Sequence, residues 1–287
     1  MLSFLFTFIL STFASTNAPV TNEELRNFAV MIVNSEMSSG GTGSILRSSN
    51  SGSLILTNRH VCEVVQHGGY IIKDRLRVKV VSYQEYDKHD LCLIKVKVNM
   101  GVNLKVAMVE PKMAEESAVS GFPRLYPNTI TRGHFSDKLI VRVMVGEEEC
   151  TEEEYLTNVM CMFFGIKPIV KPFKAQHTSN LIQPGNSGSA VLNSKGELAG
   201  VVFAGSGDLG WGLIVPYEFV VDFIKNRKQY PSIKPEKDLF MLGEESQDNM
   251  DSLEKFNLMC KLTLFKPKQI KELCQNLYFD RLHRKGN

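Results

Sequence analysis

Between about Asn27 and Pro216 the sequence is cut into short apolar runs separated by turn residues. The runs are Ala29–Val33, Ser53–Thr57, Leu76–Ser82, Leu91–Val96, Leu139–Val145 and Leu198–Phe203. They are rich in Val and Ile, and several alternate apolar with polar positions, the period of a half-buried strand. Gly40-Gly41 and Gly68-Gly69 suit turns between strands. Many short strands at this spacing predict an all-β fold, an antiparallel barrel or a sandwich. One stretch departs from the pattern: Phe219, Val220, Phe223 and Ile224 give an apolar face to a helix over about Tyr217–Lys225.

The chain is long enough, at 287 residues, to bury a large core, and 43% of it is hydrophobic. With a formal net charge of only +2, disorder and bulk nucleic-acid binding are excluded as classes. Beyond the N-terminus no run approaches the ~20 apolar residues of a membrane-spanning helix. The first 14 or so residues are apolar, and small residues near Ala14 and Ala18 suit a cleavage site. A signal peptide over residues 1–18 is expected, and with it a secreted or extracytoplasmic protein, tethered to a membrane if that segment stays uncleaved. Six cysteines are few for a secreted chain of this size, so disulfides would supplement the core rather than replace it. Cys150/Cys161 and Cys260/Cys274 are close enough in sequence to pair locally.

Three segments carry chemistry. Leu56-Thr-Asn-Arg-His60-Val puts a histidine at the end of an apolar strand. Asp87-Lys-His-Asp90-Leu-Cys-Leu-Ile puts an aspartate at the opening of a buried strand. Gln183-Pro-Gly185-Asn186-Ser187-Gly188-Ser189 puts a serine in a glycine-rich turn. Each alone has a bland reading: a structural histidine, a cap, a turn. Their joint occurrence in the order His, Asp, Ser, about 30 and 97 residues apart, changes that. A serine hydroxyl is a poor nucleophile and needs a base that titrates near working pH. The base needs a buried carboxylate to fix its tautomer and stabilise its cation. The backbone N–H groups of Gly185 and Ser187 would hold the oxyanion.

At these residues the chain resembles the trypsin-like serine proteases, most closely the HtrA/DegP-like branch. Thr57-Asn-Arg-His60-Val, Asp90-Leu-Cys-Leu-Ile-Lys-Val and Thr178-Ser-Asn-Leu-Ile-Gln-Pro-Gly-Asn-Ser187-Gly each resemble that branch's motifs. So do Gly196-Glu-Leu-Ala-Gly200 and Gly210-Trp-Gly-Leu-Ile-Val-Pro216. The resemblance covers roughly residues 27–228. It implies two antiparallel six-stranded β-barrels, over 19–115 and 116–228, with the site in the cleft between them. His60 and Asp90 would come from the first barrel and Ser187 from the second. Phe203, Ala204 and Gly205 would line the cleft and pair with substrate backbone. Leu181 would sit near the base of the S1 pocket, favouring small or medium apolar P1 residues, because a buried unpaired cation is costly. The implied reaction needs no cofactor, and its partner is a protein or peptide substrate.

Two departures bear on regulation. Digestive trypsins carry Asp immediately before the serine, and it pairs with a freed N-terminal ammonium; Asn186 here is neutral and disfavours that activation. About 59 residues follow Lys228, which is short for the PDZ domain that HtrA proteases usually carry. That tail, 229–287, is acidic around Glu244–Glu254 and basic after Lys255, with a helix expected after Pro267. It is read as a helical appendage, with homo-oligomerisation through it as the sharper idea. Glu147–Glu154 is read as a solvated acidic loop. Cys62 and Cys92, with His60, His67 and His89, lack the spacing of a zinc site; buried thiols or a disulfide fit better.

The reading reached is an active serine endopeptidase. An α/β-hydrolase esterase is disfavoured, because that class orders its triad Ser, acid, His. A protease-like scaffold that binds or chaperones peptides without turnover is the alternative.

Overall fold

The computed structural model describes residues 21–151, 166–206 and 210–235. The chain enters through a short helix, α1 (Asn22–Phe28), closed by a capping box in which Thr21 and Glu24 satisfy each other's backbone N–H. Seven strands follow: β1 (Ala29–Asn34), β2 (Gly40–Ser49), β3 (Gly52–Thr57), β4 (Gly69–Lys73), β5 (Leu76–Lys79), β6 (Ser82–Glu85) and β7 (Cys92–Val96). A second helix, α2 (Arg59–Glu63), interrupts them after β3. They form one antiparallel sheet in the order β5-β4-β1-β2-β3-β7-β6. Six more strands, β8 (Glu116–Gly121), β9 (Thr129–Glu149), β10 (Ile166–Thr178), β11 (Ala190–Asn193), β12 (Leu198–Ser206) and β13 (Trp211–Val215), close into a barrel ordered β10-β13-β12-β11-β8-β9. A third helix, α3 (Tyr217–Asn226), follows.

The two-barrel, chymotrypsin-like architecture holds, with a correction to its first half. That sheet has seven strands rather than six, and its end strands β5 and β6 do not pair. The apolar run Leu76–Ser82 is what divides: it supplies β5 against β4, breaks at Val80-Val81, and starts β6 against β7. Gly40-Gly41 opens β2 instead of forming a turn. A side chain on Gly40 would lie 2.1 Å from the Ile32 carbonyl oxygen, so glycine there serves close strand approach.

Strand β7 shows how the two halves meet. Cys92, Ile94 and Val96 point into the core of the first sheet, with Ile32, Ile45 and Ile55. Leu91 and Leu93 point the other way, into a second core shared with Leu192, Val201, Val215 and Phe223. Both faces are buried, which is why this run reads as almost continuously apolar. A third cluster, including Phe135, Ile182, Val202 and Ile214, fills the closed barrel.

Helix α3 fastens the halves from one end. Phe223 and Tyr86, both fully buried, stack at 4.9 Å between ring centroids, and Tyr230 closes on each. The Tyr86 hydroxyl donates to Asp222 Oδ2 at 2.6 Å. Just past α3, Gln84 Nε2 donates to the carbonyls of Arg227 and Tyr230, and Ile233 bridges to Tyr83. The start of the tail is thus packed on the first sheet. Residues 1–20, the acidic positions 152–154 and everything after 235 lie outside the described residues, the expected signal peptide and helical tail among them. Glu147–Glu149 belong to β9, so that part of the acidic stretch is strand. Among the described residues no helix is long and apolar enough to cross a membrane.

Candidate active site

Strand β3 ends at Thr57, and the chain turns at Asn58 into α2, which carries His60 on its first turn. Sequence reasoning puts His60 at a strand end; the structure puts it on this short helix. Asp90 stands just before β7. The His60 ring nitrogen Nδ1 lies 2.7 Å from Asp90 Oδ2, and the His60 backbone N–H donates to Asp90 Oδ1 at 3.1 Å. A carboxylate only accepts, so Nδ1 carries the proton and Nε2 is left as the acceptor. Asn58 Nδ2 donates to the Asp90 carbonyl at 2.9 Å, tying the two segments a third time. Burial pushes the Asp90 carboxyl up, but the hydrogen bonds and charge of His60, with Arg59 nearby, outweigh it and hold the group below its ordinary range. Asp90 is 17% exposed and His60 45%. The carboxylate is thus shielded while the imidazole is open to solvent.

Two residues beyond each partner, Cys62 and Cys92 join in a disulfide. It ties α2 to β7 directly behind the His–Asp pair. Cys150 is also disulfide-bonded; Cys161, Cys260 and Cys274 lie outside the described residues. Among the described residues no group of three or more His, Cys, Asp or Glu side chains is arranged to hold a metal ion.

Ser187 sits on a turn that the first sheet holds in place. Thr42 on β2 is the fastening point. Its N–H donates to the Ser187 carbonyl at 2.8 Å and its hydroxyl to the Gly185 carbonyl at 2.7 Å. Thr57, three residues before His60, donates its own hydroxyl to the Thr42 carbonyl at 2.7 Å. The strand leading to His60 and the serine turn thus hang from one threonine. Gly188 N–H donates to Val202, and Gly188 has φ of +87°. A side chain there would meet the Thr42 carbonyl oxygen at 2.0 Å, so only glycine lets the turn approach this closely. Gly185, with φ of +93°, is equally confined by Phe122 and Arg124. The N–H groups of Asn186 and Gly188 are spent inside the fold, whereas those of Gly185 and Ser187 have no partner among the described residues. No hydrogen bond joins Ser187 Oγ to His60 among the described residues.

The expected substrate residues are placed unevenly. Ala204 and Gly205 lie on β12 opposite Leu213 and Gly212 of β13. The Phe203 ring is buried against His89, so it packs the core and does not line the cleft. Leu181 is 44% exposed. Its neighbour Ile182 is the buried one, and it fills the space beside Gly205 and Gly212, where added side chains would fall 2.7 and 2.3 Å from it. Sequence reasoning missed Ile182 and Thr42. Gly205 and Gly212, which face Ile182, carry a signal for it only once their strand register is known.

The trypsin-like peptidase domain model matches residues 41–201. The serine protease Do-like HtrA of Lactococcus lactis subsp. lactis is 26% identical over 211 residues, and that of subsp. cremoris is 26% identical over 210. Each match covers 66% of this chain and 45% of the relative, so the chain spans less than half of their length. Among solved structures, the active form of the Rv3671c protease from M. tuberculosis superposes with a TM-score of 0.55 at 16% identity, covering 71% of this chain and 82% of that one. The serine endoprotease from Yersinia pestis gives 0.51 at 18% identity, covering 74% and 69%.

Proposed function

The chain belongs to the trypsin-like peptidase domain family, and from that premise we propose that it is a serine endopeptidase acting through His60, Asp90 and Ser187. The observation that carries the reading is the doubly hydrogen-bonded His60–Asp90 pair, which leaves His60 Nε2 as an acceptor on the open side. Ser187 Oγ attacks the scissile carbonyl carbon while Nε2 takes its proton. The oxyanion rests on the free N–H groups of Gly185 and Ser187. His60 returns the proton to the leaving amine, which departs from the acyl-enzyme. Water, deprotonated by His60, attacks the acyl carbon, and Ser187 is released with its proton restored. The Ser187–His60 hydrogen bond forms with substrate in place, as is common where the unliganded geometry is loose.

Ile182 between Gly205 and Gly212 makes the S1 pocket shallow and apolar, which favours small or medium apolar P1 residues. The backbone of Ala204 and Gly205 supplies the edge on which substrate adds as a strand. The substrate is a protein or peptide met outside the cytoplasm, where the buried Cys62–Cys92 disulfide persists.

A fluorophosphonate probe tests this without knowledge of the substrate. We expect one adduct per chain, mapped to Ser187 by mass spectrometry and missing from Ser187→Ala. A folded wild-type protein that takes no adduct would remove the protease reading in favour of a peptide-binding scaffold.

A further inference from the structure

His89 stands beside Asp90 and is not used by the triad chemistry. His89 is 2% exposed. Nδ1 lies 2.8 Å from the backbone nitrogen of Asp90, and Nε2 lies 2.6 Å from the carbonyl oxygen of Lys174 on β10. A backbone N–H only donates and a carbonyl only accepts. Nδ1 must therefore accept and Nε2 must donate, so the ring is held as one neutral tautomer. Three rings wall it in: Phe173 of β10 at 5.0 Å, Phe203 of β12 at 5.7 Å and Phe219 of α3 at 4.9 Å between centroids.

All of those walls belong to the second half of the fold, while Asp90 belongs to the first. The Asp90 carboxylate and carbonyl are held by His60 and Asn58, both on the first half. Its N–H is the remaining handle, and His89 connects that handle to β10. Any apolar residue of similar size would fill the slot, but it would leave the buried Asp90 N–H and Lys174 carbonyl facing a group that bonds to neither. The pairing of both ring nitrogens is therefore what distinguishes histidine here from a packing residue.

We infer that His89 is a positioning residue, which sets Asp90 against His60 by anchoring its backbone N–H to the Lys174 carbonyl across the barrel interface. This rests on the serine-protease reading, in that the positioned group serves the triad. His89 touches neither substrate nor reacting atoms; it acts through Asp90. A carboxylate displaced by a fraction of an ångström no longer holds the His60 ring in line with Ser187, and catalysis is sensitive to such displacements.

Three variants separate the hydrogen bonds from the packing. His89→Phe keeps the ring and loses both bonds. His89→Gln keeps a donor for Lys174 but no acceptor at the Nδ1 position. His89→Asn keeps that acceptor for the Asp90 N–H. Two readouts are taken on the full chain: the rate of fluorophosphonate labelling at Ser187, and the low-field proton resonance of His60 Nδ1–H. We expect His89→Phe and His89→Gln to label on the order of 10–100-fold more slowly than wild type and to shift or broaden the resonance. His89→Asn, which cuts the link at Lys174 instead, should show a similar loss in both, and peptide KM should change little in all three. Wild-type labelling and an unmoved resonance in His89→Phe would overturn the inference. Should that variant fail to fold, wild-type labelling and an unmoved resonance in both His89→Asn and His89→Gln would overturn it. If wild type itself takes no adduct, the protease reading fails, and the resonance alone then decides whether His89 positions Asp90.

Discussion

A carboxylate that must stay charged and a histidine that must stay neutral occupy positions 90 and 89. The environments oppose each other. Asp90 is held below its ordinary range because hydrogen bonds from His60 outweigh its burial. Burial lowers the affinity of His89 for a proton, and the Lys174 carbonyl, Asp90 and Glu218 offset only part of that. Arg59 on α2 adds to the lowering, while Lys138 neutralises Glu218 on α3. The folded protein therefore resists protonating His89, whereas the unfolded chain accepts the proton near the ordinary value of 6.5. Stability contributed by this site is present above that value and is lost as pH falls toward the depressed folded value. Thermal melting followed from pH 7.5 to 5 should show a declining midpoint, and the decline should be shallower in His89→Asn. A parallel decline in both would mean that other groups carry the acid sensitivity. His60, Asp90 and Ser187 were legible as residue types in a fixed order. Thr42 and His89 were not, because their roles are hydrogen bonds across the fold, and a threonine in a strand or a histidine beside an aspartate has no spacing signature of its own.

Among the elements, α3 does work that its sequence only half announces. The apolar positions Val220 and Phe223 are legible at helical spacing and are buried as expected. What they bury against is not legible: Phe223 stacks on Tyr86, which comes from the loop leading to Asp90. Asp222 then accepts from both the Tyr86 hydroxyl and Lys88 Nζ. The helix thus holds the Tyr86–Asp90 loop by two ring contacts, Phe223 on Tyr86 and Phe219 on His89, and two charge-assisted bonds. Phe223→Ala should lower stability by about 3–5 kcal/mol, the usual cost for a fully buried phenylalanine. Denaturant unfolding measures it, and a loss under about 1 kcal/mol would mean the cluster collapses to fill the gap. Elsewhere the strand runs were readable because Val and Ile recur with period two. The start of α1 carries a signal too, since Thr21-x-x-Glu24 is a capping box, but no apolar periodicity accompanies it. The length of β9 escaped notice for the opposite reason. Only Leu139–Val145 looks apolar, while the flanking polar residues extend from Thr129 to Glu149 by pairing with β8 and β10. Strand length there is set by partners that the local sequence does not contain.

The molecule as a whole must keep two β halves, and with them the dispersed His60, Asp90 and Ser187, in one arrangement, and the Cys62–Cys92 bond acts at that scale. It joins residues 30 apart in sequence, and the closed loop runs from just after His60 to just after Asp90. Cross-linking a loop of that length removes unfolded-state freedom equivalent to about 3–4 kcal/mol on the chain-entropy account. Both cysteines are fully buried in the core of the first sheet. A reductant therefore reaches the sulfurs only when the sheet opens, so the bond protects itself under native conditions. Two measurements follow from this. Native protein in dithiothreitol should lose the bond at the rate of opening, slowly at 25 °C and much faster near the melting midpoint. The Cys62→Ala, Cys92→Ala double variant should melt lower and should label more slowly at Ser187, because α2 and β7 then hold the His60–Asp90 pair only through hydrogen bonds. Rapid reduction of the native protein would show that the sulfurs are reached without opening. An unchanged labelling rate in the double variant would assign the disulfide to stability alone and leave the alignment of the pair to Asn58, Asp90 and His89.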